Sequence, residues 1–214
     1  MNFSQQVAQK LLEIKAIKLN PGQPFTWASG LRSPIYCDNR LSLSYPETRN
    51  LIKRALAVKS SEFGNFDMIA GVATAGIAHG ALMADELNMP FCYVRSEAKS
   101  HGRQNQIEGD LKKGQKVLVI EDLISTGGSS IQVVEVLRNE GYEVVGVLAI
   151  FDYQFEKARN NFKLAKCPYK TICDYQSLIK EAIAMDYINS SQLDVLKDWN
   201  KDPQFWSENF QTVK

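Results

Sequence analysis

The chain has 214 residues, with 25 basic and 24 acidic side chains and a formal net charge of +1. That length suits one α/β domain with appendages rather than two independent ones. The balanced charge offers no electrostatic footprint for nucleic acid or an anionic membrane, so any bound anion must be held by a local arrangement of groups.

Residues 1–10 are polar and lack the apolar core of a signal peptide. The longest charge-free run, 68–84, carries glycines, a threonine and a histidine, and it is too short to span a membrane. A cytoplasmic location is expected. Cys37, Cys92, Cys167 and Cys173 form no C-x-x-C pair, which argues against zinc or a disulfide framework and for small buried side chains.

In chain order, Val7, Leu11, Ile14 and Ile17 recur at helical spacing and predict a helix over 2–18. Pro21, Gly22 and Pro24 end it. Residues 25–38 read as two short extended pieces around Ser29-Gly30, and 46–62 as a helix with proline in its first turn. A rhythm follows: strand 67–70, helix 76–88, strand 91–95, strand 116–120, helix 128–140 and strand 143–151. Alternation of this kind predicts an α/β fold, a parallel twisted sheet flanked by helices. Segments 1–45, 46–174 and 175–214 then divide one domain into an N-terminal piece, a core and C-terminal helices, with Trp199, Phe205 and Trp206 available to pack back on the body. Residues 96–115 break the rhythm with about twenty polar, glycine-bearing positions, a length that points to a functional lid.

The most informative stretch is 117–130, VLVIEDLISTGGSS. A buried strand is expected to end in two adjacent carboxylates, Glu121 and Asp122, followed by a small-residue loop that enters a helix. Unpaired amides at a helix start suit a phosphate. Gly127 and Gly128 allow close approach, and Ser125, Thr126, Ser129 and Ser130 can add hydroxyl donors. The carboxylates would hinder a loop that bound only phosphate, whereas as acceptors for sugar hydroxyls they suggest a ribose 5-phosphate. No G-K-[ST] follows, which excludes a Walker A loop, and no dinucleotide G-x-G-x-x-G is present. Plain capping by Ser and Thr explains one hydroxyl but not the whole set. A second strand–loop–helix junction, AGVATAGI at 70–77, offers another anion site, although close helix–sheet packing explains its glycines equally well.

VLVIEDLISTGGS resembles the phosphoribosyl pyrophosphate-binding motif of type I phosphoribosyltransferases. The resemblance implies that fold, and donor contacts from Glu121, Asp122, Leu123, Ile124, Ser125, Thr126, Gly127, Gly128 and Ser129. It also implies that Thr74, Ala75 and Gly76 take the pyrophosphate end, where some relatives carry a lysine in place of Ala75. YVRSEAKSHG is similar to the lid of orotate phosphoribosyltransferases, which marks Arg95, Lys99 and His101 as catalytic. The second lid lysine of the fuller pattern is missing near Ser96 and Glu97.

FTWASGLRSPIYCD resembles the same family's hood over the base, implying orotate contacts from Tyr36 and Ser125. The lysine and arginine that another branch uses on orotate are replaced by Ala28 and Tyr153, which leaves Arg32 or loop backbone for the orotate carboxylate. Trp27 and Tyr36 read equally well as core aromatics. The resemblance further implies Mg²⁺ held mainly by substrate, with Asp122 the one side chain in reach, and a homodimer whose lid serves the neighbouring site. The implied activity joins orotate to phosphoribosyl pyrophosphate; the rivals are an enzyme for another base and a non-catalytic sensor of the donor.

Overall fold

The computed structural model describes residues 2–96 and 106–210. The chain divides into two compact units, one formed by 1–48 with 173–214 and the other by 49–172. The two ends of the chain, separate in sequence, thus fold together.

In the terminal unit, α1 (Phe3–Glu13) opens on a capping box in which Asn2 and Gln5 satisfy each other's backbone amides. It stops five residues short of the predicted end because Lys15 turns left-handed (φ 59°) and the chain enters β1 (Ile17–Leu19). Ile17 is fully buried, as its helical spacing suggested, but as a strand residue opposite Cys37. β2 (Phe25–Thr26) and β3 (Arg32–Ser33) form a short hairpin around the expected Ser29-Gly30 turn, and β4 (Ile35–Cys37) pairs with β1.

A 3-10 turn (Asn39–Ser44) leads to α2 (Pro46–Ser60), followed by a further 3-10 turn (Ser61–Phe63). The core sheet contains β5 (Met68–Val72), β6 (Phe91–Val94), β7 (Ile107–Glu108), β8 (Lys116–Ile124), β9 (Glu143–Asp152) and β10 (Tyr169–Asp174) in the spatial order β10-β9-β8-β5-β6-β7. β6, β5, β8 and β9 run parallel, and β7 is antiparallel to β6. The helices between them are α3 (Ala75–Leu87), α4 (Gly128–Asn139) and α5 (Glu156–Leu164). All five residues of β5 are buried, as are Val117–Glu121 of β8, which explains their unbroken apolar runs.

Within 67–174 the elements differ from those predicted at three places. β8 continues through Ile124 rather than ending at Ile120, because Glu121, Leu123 and Ile124 keep pairing with Ala149, Phe151 and Asp152 of β9. The 96–115 connection is not irregular throughout: Ile107–Glu108 adds an edge strand to β6. α5 and β10 complete the sheet where no element was predicted. All four cysteines are free, with Cys92, Cys167 and Cys173 buried as expected and Cys37 half-buried; burial pushes the Cys92 thiol up to about 12.

The tail folds as α6 (Tyr175–Ala184), α7 (Ser190–Lys201) and α8 (Pro203–Asn209). α6 lies on α1, where the Gln5 and Gln9 amides donate to the buried Glu181 carboxylate at 3.1 and 2.8 Å. Trp199 is fully buried, edge-on to Trp27 at 5.7 Å and beside Tyr175, whose hydroxyl donates to the Leu196 carbonyl. Phe205, grouped with it in the sequence reading, is 63% exposed, because α8 turns that face outward. Removing the Trp199 indole leaves a large hole in the terminal unit. Trp199→Ala should cost about 3–5 kcal/mol, read as a lowered urea midpoint for the far-ultraviolet transition.

Candidate functional site

The site is built at the carboxyl end of β8, where open parallel sheets place their ligand crevices. Because the strand runs on to Ile124, Glu121 and Asp122 lie within it, and their carboxyl groups stay close enough to interact directly. Glu121 is only 5% exposed. Its carboxylate accepts from the Ser130 hydroxyl at 3.0 Å and from the Asp122 amide at 3.0 Å. Burial, and then the neighbouring Asp122 charge, hold its pKa well above the usual carboxylate range despite those bonds.

Beyond Ile124 the chain turns through 125–127 into α4. Gly127 is left-handed (φ 79°), and no side chain caps the helix. Capping by Ser or Thr therefore does not explain this loop. The first helical bond runs from the Ile131 amide to the Gly127 carbonyl, so the earlier amides of the first turn stay outside the helical ladder. Together with Ser125, Thr126 and Ser129 they line a recess of about 90 Å³ that also includes Glu121 and Leu123. This is the size of a subsite for one small group rather than a whole ligand. Donors aimed at an anion and a carboxylate set just behind them are what a phosphorylated sugar requires.

Ser130, read from the sequence as a possible anion donor, is 2% exposed and spends its hydroxyl on Glu121 instead. Two supports from α5 were missed. Asn161 donates its amide to the Thr126 carbonyl at 2.9 Å, and the Phe162 ring lies so close under the turn that a Cβ on Gly127 would sit 2.7 Å from it. No local signal in 156–164 marks them; only the tertiary packing of α5 on α4 does.

The second loop follows β5. Thr74 precedes α3 without a side-chain capping bond, and the Ala73–Thr74 peptide is cis. Ala75 and Gly76 open the helix. A Cβ at Gly76 would meet the Ile120 carbonyl oxygen at 2.5 Å, and one at Gly71 would meet the Gly76 oxygen at 2.9 Å. Close helix–sheet packing thus requires these glycines, and it brings the start of α3 against β8 one residue before Glu121.

Arg95 follows β6. Its amide donates to the Gln106 carbonyl, and its guanidinium lies 3.7 Å from Glu108 of the neighbouring strand. Lys99 and His101 fall outside the described residues. In the terminal unit Tyr36 is exposed and tilted against Phe25, whereas Trp27 is a packing residue whose indole donates to the Ile35 carbonyl. Arg32 donates to the Phe210 carbonyl and lies over the Phe210 ring, so it ties down the end of α8. Among the described residues, no three His, Cys, Asp or Glu side chains gather as a metal cage, and no helix is long and apolar enough to cross a membrane.

Comparison with known proteins defines the class. The phosphoribosyl transferase domain family model matches residues 44–185, which contain both strand–loop–helix junctions. The orotate phosphoribosyltransferase of Cytophaga hutchinsonii is 51% identical over 97% of this chain and 100% of its own length. That of Streptococcus agalactiae is 53% identical over 96% and 99%. The orotate phosphoribosyltransferase structure from Aeropyrum pernix superposes with a TM-score of 0.74 at 28% identity, covering 86% of this chain and 99% of that one. The chain belongs to the orotate phosphoribosyltransferase family of the phosphoribosyltransferases.

The raised pKa of Glu121 has a consequence for stability. A carboxyl whose folded pKa exceeds its unfolded value contributes stability that is complete below the unfolded pKa and is lost as pH rises through the folded one. Glu121→Gln removes that loss. The variant should melt close to the wild type at pH 4, below the unfolded carboxyl's pKa of about 4.3, and above it at pH 8 in ligand-free protein, by about 2–4 °C for each kcal/mol relieved. Paired thermal melts at the two pH values check this.

Proposed function

We propose that the chain transfers the 5-phosphoribosyl group from phosphoribosyl pyrophosphate to orotate, giving orotidine 5′-monophosphate and pyrophosphate in pyrimidine biosynthesis. Relatives of that name match at about half identity over essentially their whole length, and that observation carries the reading. The site geometry supports it. The amides of Gly127, Gly128 and Ser129, with Ser125 and Thr126, hold the 5′-phosphate against the positive end of α4. Glu121 and Asp122 accept from the ribose hydroxyls. Thr74, Ala75 and Gly76 offer amides to the pyrophosphate at the start of α3.

Displacement at the anomeric carbon passes through an oxocarbenium-like state. A ring nitrogen of the orotate anion forms the new bond to that carbon as the carbon–oxygen bond to pyrophosphate breaks, and the electron pair leaves on pyrophosphate. Arg95, Lys99 and His101 oppose the charge that develops there. The attacking ring N–H gives up its proton to solvent before the bond forms, so no side chain is assigned as general base. Ser125 and Tyr36 contact orotate. Arg32, which spends one guanidinium N–H on the Phe210 carbonyl and keeps others, and the loop backbone amides are the partners offered to the orotate carboxylate.

Mg²⁺ fits the hard oxygen donors of a carboxylate, a phosphorylated sugar and water, and when bound it neutralises pyrophosphate charge. With no protein cage among the described residues, Asp122 is the one side chain assigned to it. The working form is a cytoplasmic homodimer in which each subunit's lid serves its neighbour. These assignments make orotate consumption, followed by loss of its absorbance, dependent on phosphoribosyl pyrophosphate and Mg²⁺. Lys99→Ala should reduce kcat by about 10²–10³. An enzyme that consumes orotate equally well without Lys99 would remove that residue from the mechanism, and no consumption by the wild type would discard orotate as substrate.

A further inference from the structure

Of the three residues that the lid motif marks as catalytic, Arg95 is the one among the described residues, and it follows the last residue of β6. A long side chain at such a place loses orientational freedom only if the backbone beneath it is tied down. Here it is tied from two directions. Gln106, the residue before β7, accepts the Arg95 amide with its backbone carbonyl and donates its side-chain amide to the carbonyls of Arg95 and Ser96, both at 3.3 Å. Gln132 reaches across from α4 and donates to the same Ser96 carbonyl at 3.2 Å. Gln132 lies on the second turn of the helix whose first turn forms the phosphate recess. It is exposed and takes no part in the core, and packing gives no reason for an amide there.

Building on the functional reading above, we infer that Gln132 is a positioning residue, one that fixes Arg95 relative to the phosphate-binding turn through the Ser96 carbonyl. The phosphate end and the pyrophosphate end of the donor are then registered to one rigid element, α4. Glu108 completes the arrangement by holding the guanidinium from the β7 side, so the side chain is partly ordered before the donor arrives.

The test is a double-mutant cycle between Gln132 and Arg95, with kcat for orotate consumption and the affinity for ribose 5-phosphate measured on each variant. Gln132→Met keeps the length and the helix but removes the donor. In the wild-type background it should lower kcat by about threefold to tenfold, the scale of one lost hydrogen bond, while ribose 5-phosphate binding stays within twofold, since the recess is intact. In the Arg95→Ala background the same substitution should change kcat by less than twofold, because the residue it positions is gone. Equal losses in both backgrounds, a parallel loss of ribose 5-phosphate affinity, or no loss in either would overturn the inference while leaving the reaction assigned. A wild type that binds ribose 5-phosphate yet consumes no orotate would instead overturn the functional reading, and the inference with it.

Discussion

A carboxylate held almost out of water, beside a second one and behind an anion recess, is the constraint on which this site depends. Glu121 is 5% exposed, receives two hydrogen bonds and still has its pKa pushed up by burial and by Asp122. Such a group is costly in a folded protein unless something accepts or shares its charge. Sugar hydroxyls and a nearby cation would relieve that cost on binding. The ligand-free protein thus carries a local penalty that ligand removes, which is how a site can be less stable than its scaffold and more selective for it.

The penalty is affordable because the surroundings are rigid. β8 is flanked by parallel strands on both sides and keeps its pairing with β9 past the acids. Ser130 fixes one Glu121 oxygen from α4. α5 then holds the turn from beneath, through Asn161 on the Thr126 carbonyl and the Phe162 ring under Gly127. Phe162 is itself stacked on Tyr169 at 4.2 Å, which links the phosphate turn to the edge of the sheet. Only glycine permits the left-handed turn at that distance from the ring.

Much of this could be read from residue order, and for definable reasons. The continuous apolar run 117–120 and the glycine-hydroxyl loop after it are local, so strand, loop and helix were each placed within a few residues. The strand's extension to Ile124 was not, because it rests on pairing with β9 rather than on the hydropathy of Glu121 and Asp122. Lys15 ended α1 early by a backbone conformation that the spacing of Ile14 and Ile17 does not encode. Ser130 reads as one more hydroxyl beside the anion, and only its place as the third residue of α4 turns it toward Glu121. Trp27 and Tyr36 were indistinguishable as aromatics; contact with Trp199 separates the packing residue from the exposed one. Asn161, Phe162 and Gln132 act across tertiary contacts and carry no motif.

The state of Glu121 is accessible to direct measurement. Ribose 5-phosphate binding can be followed by calorimetry at pH 7 in two buffers of different ionisation enthalpy, for the wild type and for Glu121→Gln. If the sugar hydroxyls favour the ionised form of this carboxyl, the wild type releases more protons on binding than the variant and its apparent enthalpy depends more steeply on the buffer, while the variant binds more weakly. Equal affinity and an equal buffer dependence in both proteins would contradict a role for Glu121 in receiving the ribose.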